Sequence, residues 1–515
     1  MGDTKQETIN NALWKACDTF RGKIDSSIYK DYVLVILFLK YLSDIHKENL
    51  EEYREKYDGD ETRIQRALKR ERFVLDEECT FDYLYSKRNE SDIGETINKA
   101  LMKLEEENKT KLRGVFRNID FNSEAILGST KDRNFMLKHL LEDFDSEELD
   151  LRPSKLGKED IIGNAYMYLV ERFASDAGKK GGEFFTPSMV SELLARLVKP
   201  QENDRIYDPT CGSGSLLIKV VDQVPSSEEN KSHKVAVYGQ ERNGQTHSLC
   251  KLNMFLNSID DARIEWGDTI ANPKHLEDDK LMKFQVVVAN PPFSLKKWYM
   301  GFADEKDSKK VKLDKSIDPY GRFELGVPPK SRGDYAFILH MIHSMAEDGR
   351  MAVVLPHGVL FRSRREKKIR QRIIEENLLD AVIGLPENLF FGTGIPACVL
   401  VMKKNRERDE ILFVDASGED CYEDGTNQNK LREEDIAKIV ETYENYETID
   451  KYSYLAPLEE IEENNYNLNI PRYVDTFEEP EPVDMDQVAN NIAEIKEEIE
   501  EVEEQMQKYI KELGL

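Results

Sequence analysis

The sequence predicts an α/β protein with a doubly wound, mostly parallel sheet, an all-helical region before it and a coiled-coil helix after it. From residue 205 onward, short β-branched runs alternate with helical segments, which is typical of a parallel sheet covered by helices on both faces. Before residue 155, apolar residues recur at helical spacing instead. Near the end of the chain, apolar residues alternate three and four positions apart over about four heptads, which indicates a coiled-coil seam.

Composition limits the possible classes of protein. The chain has 515 residues, enough for about two or three domains with substantial cores. Its formal net charge of −27 argues against a self-sufficient nucleic-acid binder, because phosphate contacts need clustered Lys and Arg. The longest apolar run, residues 32–39, is too short to span a membrane, and the N-terminus lacks the apolar core of a signal peptide, so we expect a cytoplasmic protein without membrane contact. The six cysteines are scattered without a C-x-x-C pair, so no metal site is expected.

Residues 1–155 are expected to form a helical N-terminal domain. Helical spacing predicts helices at residues 10–21, 27–42, 93–104 and 132–141, with Ser27 as the N-cap of the second. We find no catalytic signature in this region, so a docking role is the modest interpretation.

The loop at residues 178–188 connects a helix expected at 156–177 to another at 188–198. Its glycines open the loop, and Pro187 fits the first turn of the following helix. The free N–H groups at a helix start suit a carboxylate ligand. An ordinary capped helix after a loop explains the same pattern, so the motif alone leaves both interpretations open.

A strand, a glycine-rich turn and a helix come next. The strand at residues 205–207 leads into Asp208-Pro-Thr-Cys-Gly-Ser-Gly-Ser215, and a helix is expected at 216–223. Gly212 and Gly214 allow the backbone to approach a ligand closely, and Asp208 suits an ammonium group. The turn lacks the lysine of a P-loop, which disfavours a nucleoside triphosphate.

Two further strands end in carboxylates. The strand at residues 234–241 ends at Glu241, where an acid is well placed to bind ribose hydroxyls, and the strand at 262–268 ends near Asp268. A surface glutamate in a turn is the alternative interpretation of Glu241. Later strands are expected from residue 351 and at 284–289, 379–385 and 397–402, with any antiparallel strand at an edge of the sheet.

The four residues Asn290-Pro-Pro-Phe293 follow the strand at 284–289, which the two prolines must end. They therefore lie at the carboxyl end of a strand, where open α/β sheets bind ligands. The Asn290 side-chain oxygen and the Pro291 carbonyl suit the two N–H bonds of an exocyclic amino group, and holding both hydrogens frees the nitrogen lone pair. Phe293 offers a flat face for an extruded base. The alternative is a proline loop beside a core phenylalanine.

Taken in order, these motifs resemble those of the amino-methyltransferases that act on adenine in DNA. The motifs are Gly182-Glu-Phe-Phe-Thr-Pro187, Asp208-Pro-Thr-Cys-Gly-Ser-Gly214, Glu241, Asp268 and Asn290-Pro-Pro-Phe293. The whole chain resembles the modification (methylase, M) subunit of type I restriction-modification systems. The resemblance implies a Rossmann-like, S-adenosylmethionine-dependent methyltransferase sheet and an adenine-specific DNA methyltransferase that protects host DNA from cleavage.

The resemblance also implies roles for single residues. The methionine half of S-adenosyl-L-methionine would be held by Glu183, Phe184, Phe185, Thr186, Pro187, Ser188, Gly212, Ser213, Gly214 and Ser215. Glu241 would bind the ribose, and Asp268 would lie near the adenine of the cofactor. The flipped target adenine would be received by Asn290, Pro291, Pro292 and Phe293.

Partners and domains follow from the same resemblance. It implies a specificity subunit that reads the DNA sequence, a restriction subunit in the full complex, and two modification subunits on each specificity subunit. The expected divisions are a helical domain at 1–155, a cofactor-binding catalytic domain at 156–410, a connecting region at 411–482 and a docking helix at 483–515. The seam of that helix comprises Met485, Val488, Ile492, Ile495, Ile499, Val502, Met506, Tyr509 and Leu513.

Several alternatives stay open on the sequence alone. The same catalytic turn would serve a methyltransferase acting on RNA or on glutamine in a protein, and a non-catalytic assembly subunit would need the cofactor and partner sites only. The polar insertion at residues 294–332 is compatible with a lid, a DNA contact or disorder. The basic segment at 362–372 is compatible with a DNA contact or a solvated helix face.

Overall fold

The computed structural model divides the chain into two compact units, Met1–Val474 and Asp475–Leu515. It describes residues 2–21, 23–157, 161–183, 185–225, 234–302, 313–425, 428–477 and 485–512.

The first part of the larger unit is helical, as predicted. Its helices are α1 (Gly2–Ala16), α2 (Ser26–Lys56), α3 (Glu61–Leu68), α4 (Phe81–Ser86), α5 (Ile93–Glu107), α6 (Lys109–Leu112), α7 (Glu124–Leu127), α8 (Thr130–Phe144) and α9 (Pro153–Leu156). Residues 29–40 of α2 are all buried, which explains why the run at 32–39 is apolar on every face. The helices predicted at 93–104 and 132–141 are confirmed by α5 and α8.

Two details of the first helices differ from the prediction. The segment predicted as a helix at 10–21 begins at Gly2 and ends at Ala16, before a short 3₁₀ turn at Cys17–Thr19. The prediction of Ser27 as an N-cap is wrong, because Asp25 accepts a hydrogen bond from the Ser27 backbone N–H at 2.9 Å and caps α2 itself.

The same unit contains eleven described strands, and nine of them form one large sheet. The strands in chain order are β1 (Arg205–Asp208), β2 (Ala236–Glu241), β3 (Arg263–Trp266), β4 (Leu276–Glu277), β5 (Lys280–Leu281), β6 (Phe284–Ala289), β7 (Met345–Pro356), β8 (Leu379–Gly384), β9 (Ala397–Lys403), β10 (Ile411–Asp415) and β11 (Ser453–Ala456). Their order in the sheet is β11-β10-β8-β9-β7-β6-β1-β2-β3, and β4 pairs with β5 as a separate hairpin. All seven predicted strands are present.

An antiparallel strand lies inside the sheet, whereas the sequence predicted one only at an edge. Strand β9 runs antiparallel to both of its neighbours, β7 and β8. The loop from β8 to β9 contains no helix that would carry the chain back across the sheet, and a direct connection of this kind returns the next strand antiparallel. The edge strand β11 is also antiparallel to its neighbour.

Helices cover both faces of the sheet. They are α10 (Ile161–Ala177), α11 (Ser188–Val198), α12 (Ser215–Asp222), α13 (Gly244–Leu256), α14 (Asp334–Ser344), α15 (Gly358–Phe361), α16 (Arg365–Glu375), α17 (Glu433–Asn445) and α18 (Leu458–Glu463). Alternate residues of β6 enter two separate cores, with Val286 and Val288 on one face and Val287 and Ala289 on the other. The segment expected as a connecting region, 411–482, contributes β10, α17 and β11 to this layered structure.

The helical region packs directly on the sheet region through α13. Leu249, Leu252 and Phe255 of α13 belong to the same apolar core as α2 and α10. Arg72 and Lys111 both pair with Asp260 just after that helix, the lysine at 2.9 Å. The N-terminal helices are therefore held against the sheet by a shared core and by ion pairs.

The described parts of the insertion at 294–332 are packed. Trp298, Tyr299 and Phe323 are buried in the core on one face of the sheet. Arg322 is fully buried, and its guanidinium donates to the Asp318 carboxylate at 2.7 Å and to the carbonyl of Ile270 at 2.6 Å. The insertion is thus anchored to the loop that follows β3, while residues 303–312 lie outside the described residues.

The smaller unit contains α19 (Met485–Glu512), which confirms the predicted terminal helix. Six seam residues are exposed by 49–62%: Ile492, Ile495, Ile499, Val502, Met506 and Tyr509. Leu513, the last predicted seam position, lies outside the described residues. Among the helices that the structure describes, none is both long and apolar enough to cross a membrane.

Candidate active site

The carboxyl ends of β1, β2 and β6 meet at one edge of the sheet, because these strands are parallel neighbours. The glycine-rich turn after β1 and Asn290 after β6 therefore lie close together there, and the loop before α11 joins them around a small cavity. The cavity is lined by Gly182, Phe185, Thr186, Asp208, Thr210, Cys211, Gly212, Ser215, Leu216 and Asn290. Six of these residues were predicted as site residues, and Thr210, Cys211 and Leu216 belong to the predicted glycine-rich turn or the helix after it.

Asp208 is a buried carboxylate that has no Lys or Arg partner among the described residues. Its Oδ1 accepts a hydrogen bond from the Thr210 backbone N–H at 2.8 Å. Burial raises the pKa of Asp208 to about 8. A buried carboxylate without a cation is a natural site for a ligand's ammonium group.

Glu241 connects the end of β2 to the glycine-rich turn. Its Oε2 accepts a hydrogen bond from the Gly212 N–H at 3.1 Å, and its Oε1 accepts one from the Asn243 N–H at 2.6 Å. Burial raises the pKa of Glu241, while these backbone donors oppose that rise. The Glu241 carboxylate is therefore held in place beside the cavity, as its predicted role in ribose binding requires.

The two glycines of the turn have different surroundings. Gly212 has a φ of 54° and lines the cavity. Gly214 has a φ of 83°, and a Cβ added there would lie 2.8 Å from the Cys250 sulfur on α13. Gly214 thus allows the turn to pack on α13 and does not itself line the cavity. The buried Ser213 hydroxyl has no hydrogen-bond partner among the described residues.

Asn290 is oriented by Thr186. The Asn290 side-chain Nδ2 donates a hydrogen bond to the Thr186 Oγ1 at 3.1 Å. The amide oxygen, Oδ1, receives no hydrogen bond from the described residues, so it remains available as an acceptor. The resemblance assigned Thr186 to the cofactor, whereas its side chain contacts the residue assigned to the substrate.

The rest of the catalytic turn is also well defined. Pro291 is buried, Pro292 is exposed, and Phe293 packs edge-on against Phe390 with ring centroids 5.8 Å apart. Phe293 is half-buried, so part of its surface remains open to a ligand.

Asp334 and Arg362 hold the backbone just after this turn. Asp334 was not among the predicted site residues, and Arg362 was predicted only as part of the basic segment at 362–372. The Ser294 N–H donates to the Asp334 Oδ1 at 2.6 Å, and the Arg362 Nη1 donates to the Asp334 Oδ2 at 2.6 Å. Ser294 has a φ of 52°, a conformation that needs such support. In the sequence, Asp334 resembles only a favourable acid at a helix start, so no local signal marks its role.

The remaining predicted residues are placed as follows. Asp268 accepts hydrogen bonds from the N–H groups of Ile270 and Ala271, both at 3.0 Å, and it does not line the cavity. Pro187 precedes α11 as its N-cap instead of lying in its first turn, and Ser188 is the first helical residue. Phe184 and the side chain of Glu183 lie outside the described residues.

Comparison with known proteins identifies the family. The model of the N-6 DNA methylase family matches residues 157–482, which is most of the chain. This chain belongs to the N-6 DNA methylase family. The HsdM N-terminal domain matches residues 9–144, in the helical region.

Similar proteins are type I methylase subunits. The MpnII methylase subunit of Mycoplasma pneumoniae is 33% identical, with 95% of this chain and 93% of that protein covered. The MjaVIII methylase subunit of Methanocaldococcus jannaschii is 32% identical, with 99% of this chain and 85% of that protein covered. The crystal structure of a type I restriction-modification methyltransferase subunit from Streptococcus thermophilus has a TM-score of 0.78 at 34% identity, covering 92% of this chain and 100% of that one. The predicted resemblance is confirmed, and the chain is a DNA methyltransferase of the type I modification-subunit family.

Proposed function

We propose that this chain transfers a methyl group from S-adenosylmethionine to the N6 amino group of adenine in DNA, as the modification subunit of a type I restriction-modification complex. The observation that carries the proposal is the Asn290 amide, whose oxygen is free while its nitrogen is held by Thr186. This acceptor lies at the end of β6, beside the buried Asp208 carboxylate.

The residues around the cavity suit the chemical groups of S-adenosylmethionine. Asp208 would hold its ammonium group, whose positive charge would lower the pKa of that carboxyl, while the Gly212 backbone would lie beside its methionine half and Glu241 would accept from its ribose hydroxyls. When bound, the cofactor supplies an electrophilic methyl group. The cavity between these side chains has a volume of about 20 Å³.

The chain's own residues activate and hold the adenine. Asn290 Oδ1 and the Pro291 carbonyl accept the two amino hydrogens, which directs the nitrogen lone pair toward the methyl group. The same oxygens stabilise the positive charge that develops on nitrogen before its proton leaves to water. Phe293 stacks on the extruded base and offsets part of the few kcal/mol that extrusion costs. Most of the acceleration therefore comes from positioning and from preorganised dipoles.

DNA sequence recognition is delegated to a specificity subunit, which docks on α19. The net charge of −27 and the exposed apolar seam of α19 both support this division. The complex then contains two modification subunits and, when complete, a restriction subunit. It acts in the cytoplasm. Within the chain, residues 1–155 serve as the helical docking domain, 156–410 as the catalytic domain, 411–482 as its C-terminal connection and 483–515 as the docking helix.

Genomic N6-methyladenine in a methylation-free host tests the proposal. The chain is expressed alone, with its specificity subunit, and with that subunit as Asn290→Ala. We expect methylation at one bipartite site only when the specificity subunit and the intact asparagine are both present. Methylation by the chain alone would refute delegated recognition. An assembled, cofactor-binding complex that makes no methyladenine would instead indicate RNA or a protein glutamine as substrate.

A further inference from the structure

A cationic cleft lies between the insertion and the start of α16. It has a volume of about 810 Å³ and is lined by Leu313, residues 329–332 and residues 361–366. Five cationic side chains line this cleft: Lys330, Arg332, Arg362, Arg364 and Arg365. Among the described residues, the one carboxylate in the lining is Glu366.

The charges of the cationic cleft are not balanced within the described residues. Glu366 is buried and lies 3.5 Å from Arg362, which also pairs with Asp334 at 2.6 Å. By contrast, the exposed side chains of Arg332, Arg364 and Arg365 form no ion pair with any described carboxylate. In a chain that carries 100 acidic residues against 73 basic ones, three neighbouring exposed arginines that form no ion pair with a described carboxylate, and of which only Arg332 interacts with the charge of Glu366, indicate an external anion.

Backbone features point the same way. Arg364 has a φ of 61° and a ψ of −119°, a conformation that is strained for a residue with a side chain and that concentrates at functional sites. It is also the N-cap of the eleven-residue helix α16, whose first turn faces the lining residues and adds partial positive charge.

The cationic cleft is connected to the catalytic turn. The Arg362 Nη2 donates a hydrogen bond to the Ser294 Oγ at 3.3 Å, and Ser294 directly follows Phe293. Phe361, at the edge of the cleft, is an aromatic residue that is 49% exposed. Arginines beside an exposed aromatic ring are typical of surfaces that follow a nucleic-acid strand.

We propose that the cationic cleft binds the backbone phosphates next to the target adenine, with Arg332, Arg364 and Arg365 as the phosphate contacts. The inference rests on the proposed function, since it takes Asn290 to Phe293 as the place of the extruded base. Holding the phosphates beside that base keeps the distorted strand in position during transfer. An acidic segment of a partner protein is the competing occupant.

The salt dependence of DNA affinity tests the cleft without any methyl transfer. The test variant is Arg332→Gln with Arg365→Gln, in complex with the specificity subunit, S-adenosylhomocysteine and a duplex containing the target site. The matched control is Arg66→Gln with Arg70→Gln, which removes one exposed arginine of α3 and one just after it, neither of which forms an ion pair with a described carboxylate. We expect the slope of log affinity against log salt to fall by roughly 1.8 and the affinity at 0.15 M salt to fall roughly thirtyfold in the test variant. The control variant should keep the slope of the unmodified complex.

Neutral phosphates locate the contact. Single methylphosphonates are placed at each phosphate within two nucleotides of the target adenine. We expect at least one of them to weaken binding to the unmodified complex by roughly fivefold. The same substitution should leave binding to the test variant unchanged, because its partner charge is already missing. If every methylphosphonate weakened binding to the test variant as much as it weakened binding to the unmodified complex, the proposal would be overturned.

Two other outcomes separate the hypotheses. A test variant that no longer assembles with the specificity subunit, while the control variant does, would overturn the proposal in favour of a protein occupant. A complex that shows the expected slope and methylphosphonate effects, yet methylates no adenine, would support the phosphate site and refute the proposed function.

Discussion

Replacing Thr186 with valine tests whether the orientation of Asn290 limits catalysis. Valine keeps the shape of the side chain but removes the hydroxyl that accepts from the Asn290 Nδ2 at 3.1 Å. Without that acceptor, the amide is free to rotate and to present its N–H groups, in place of its oxygen, to the adenine amino group. Only those molecules in which the Asn290 oxygen faces the adenine amino group can then transfer the methyl group.

The expected loss follows from the energy of one hydrogen bond. A contact of this kind contributes about 0.5–1.5 kcal/mol, which corresponds to a fall in kcat of between about twofold and about thirteenfold. The KM for S-adenosylmethionine should stay within about twofold, because the lost hydrogen bond runs to Asn290, which holds the substrate, and valine keeps the shape that Thr186 gives to the cavity. Initial rates of methyl transfer by the complex with its specificity subunit, at saturating DNA, measure both constants.

Two control variants make this test specific. Thr186→Ser retains the Oγ and should restore most of kcat. Thr442→Val removes another buried threonine hydrogen bond, 2.7 Å to the Lys438 carbonyl in α17, and should leave kcat unchanged. An unchanged kcat in Thr186→Val would refute the reasoning. A rise in the KM for the cofactor at constant kcat would return Thr186 to the cofactor-binding role that the resemblance implied.

Three further predictions follow from the same structure. Asp208 holds a proton up to about pH 8 in the folded protein but only up to about pH 4 when unfolded, so its contribution to the free energy of unfolding falls as the pH rises between these values. In urea unfolding across this range, the free energy of unfolding should depend less steeply on pH for Asp208→Asn than for the wild type. The same pH dependence in both proteins would contradict the buried proton. Asp334→Asn leaves Arg362 with Glu366, 3.5 Å away, as its remaining described counter-charge, so the free energy of unfolding should fall by about 1–3 kcal/mol and kcat should fall as well, whereas a kcat equal to wild type would show that the turn is held without this carboxylate. Ile499→Gln in the seam of α19 should weaken binding to the specificity subunit by at least about tenfold, as measured by titration calorimetry. The control Glu497→Gln, on the opposite face of the helix, should leave binding unchanged. Equal effects of the two substitutions would exclude the seam as the docking surface.

Much of the site could be predicted because its signals are local. Prolines at 291 and 292 must end a strand, glycines at 212 and 214 permit a turn of positive φ, and an acid after a strand lies at the sheet edge. Each of these consequences depends on the covalent structure of the residue and its neighbours. The separate functions of the two glycines could not be predicted, because the Cys250 sulfur that approaches Gly214 comes from another element.

The sequence by itself determined the alternation of strands and helices, the terminal amphipathic helix and the placement of Asp208, Glu241 and Asn290 at strand ends, since backbone propensity and side-chain period act over a few residues. Only the tertiary structure decided the internal antiparallel position of β9 and the pairing of Asn290 with a threonine 104 residues away. It also decided the support of the catalytic turn by Asp334 and Arg362 and the assembly of the cationic cleft from two segments. These features depend on which elements pack together, and a long-range contact leaves no periodic trace in the sequence that produces it.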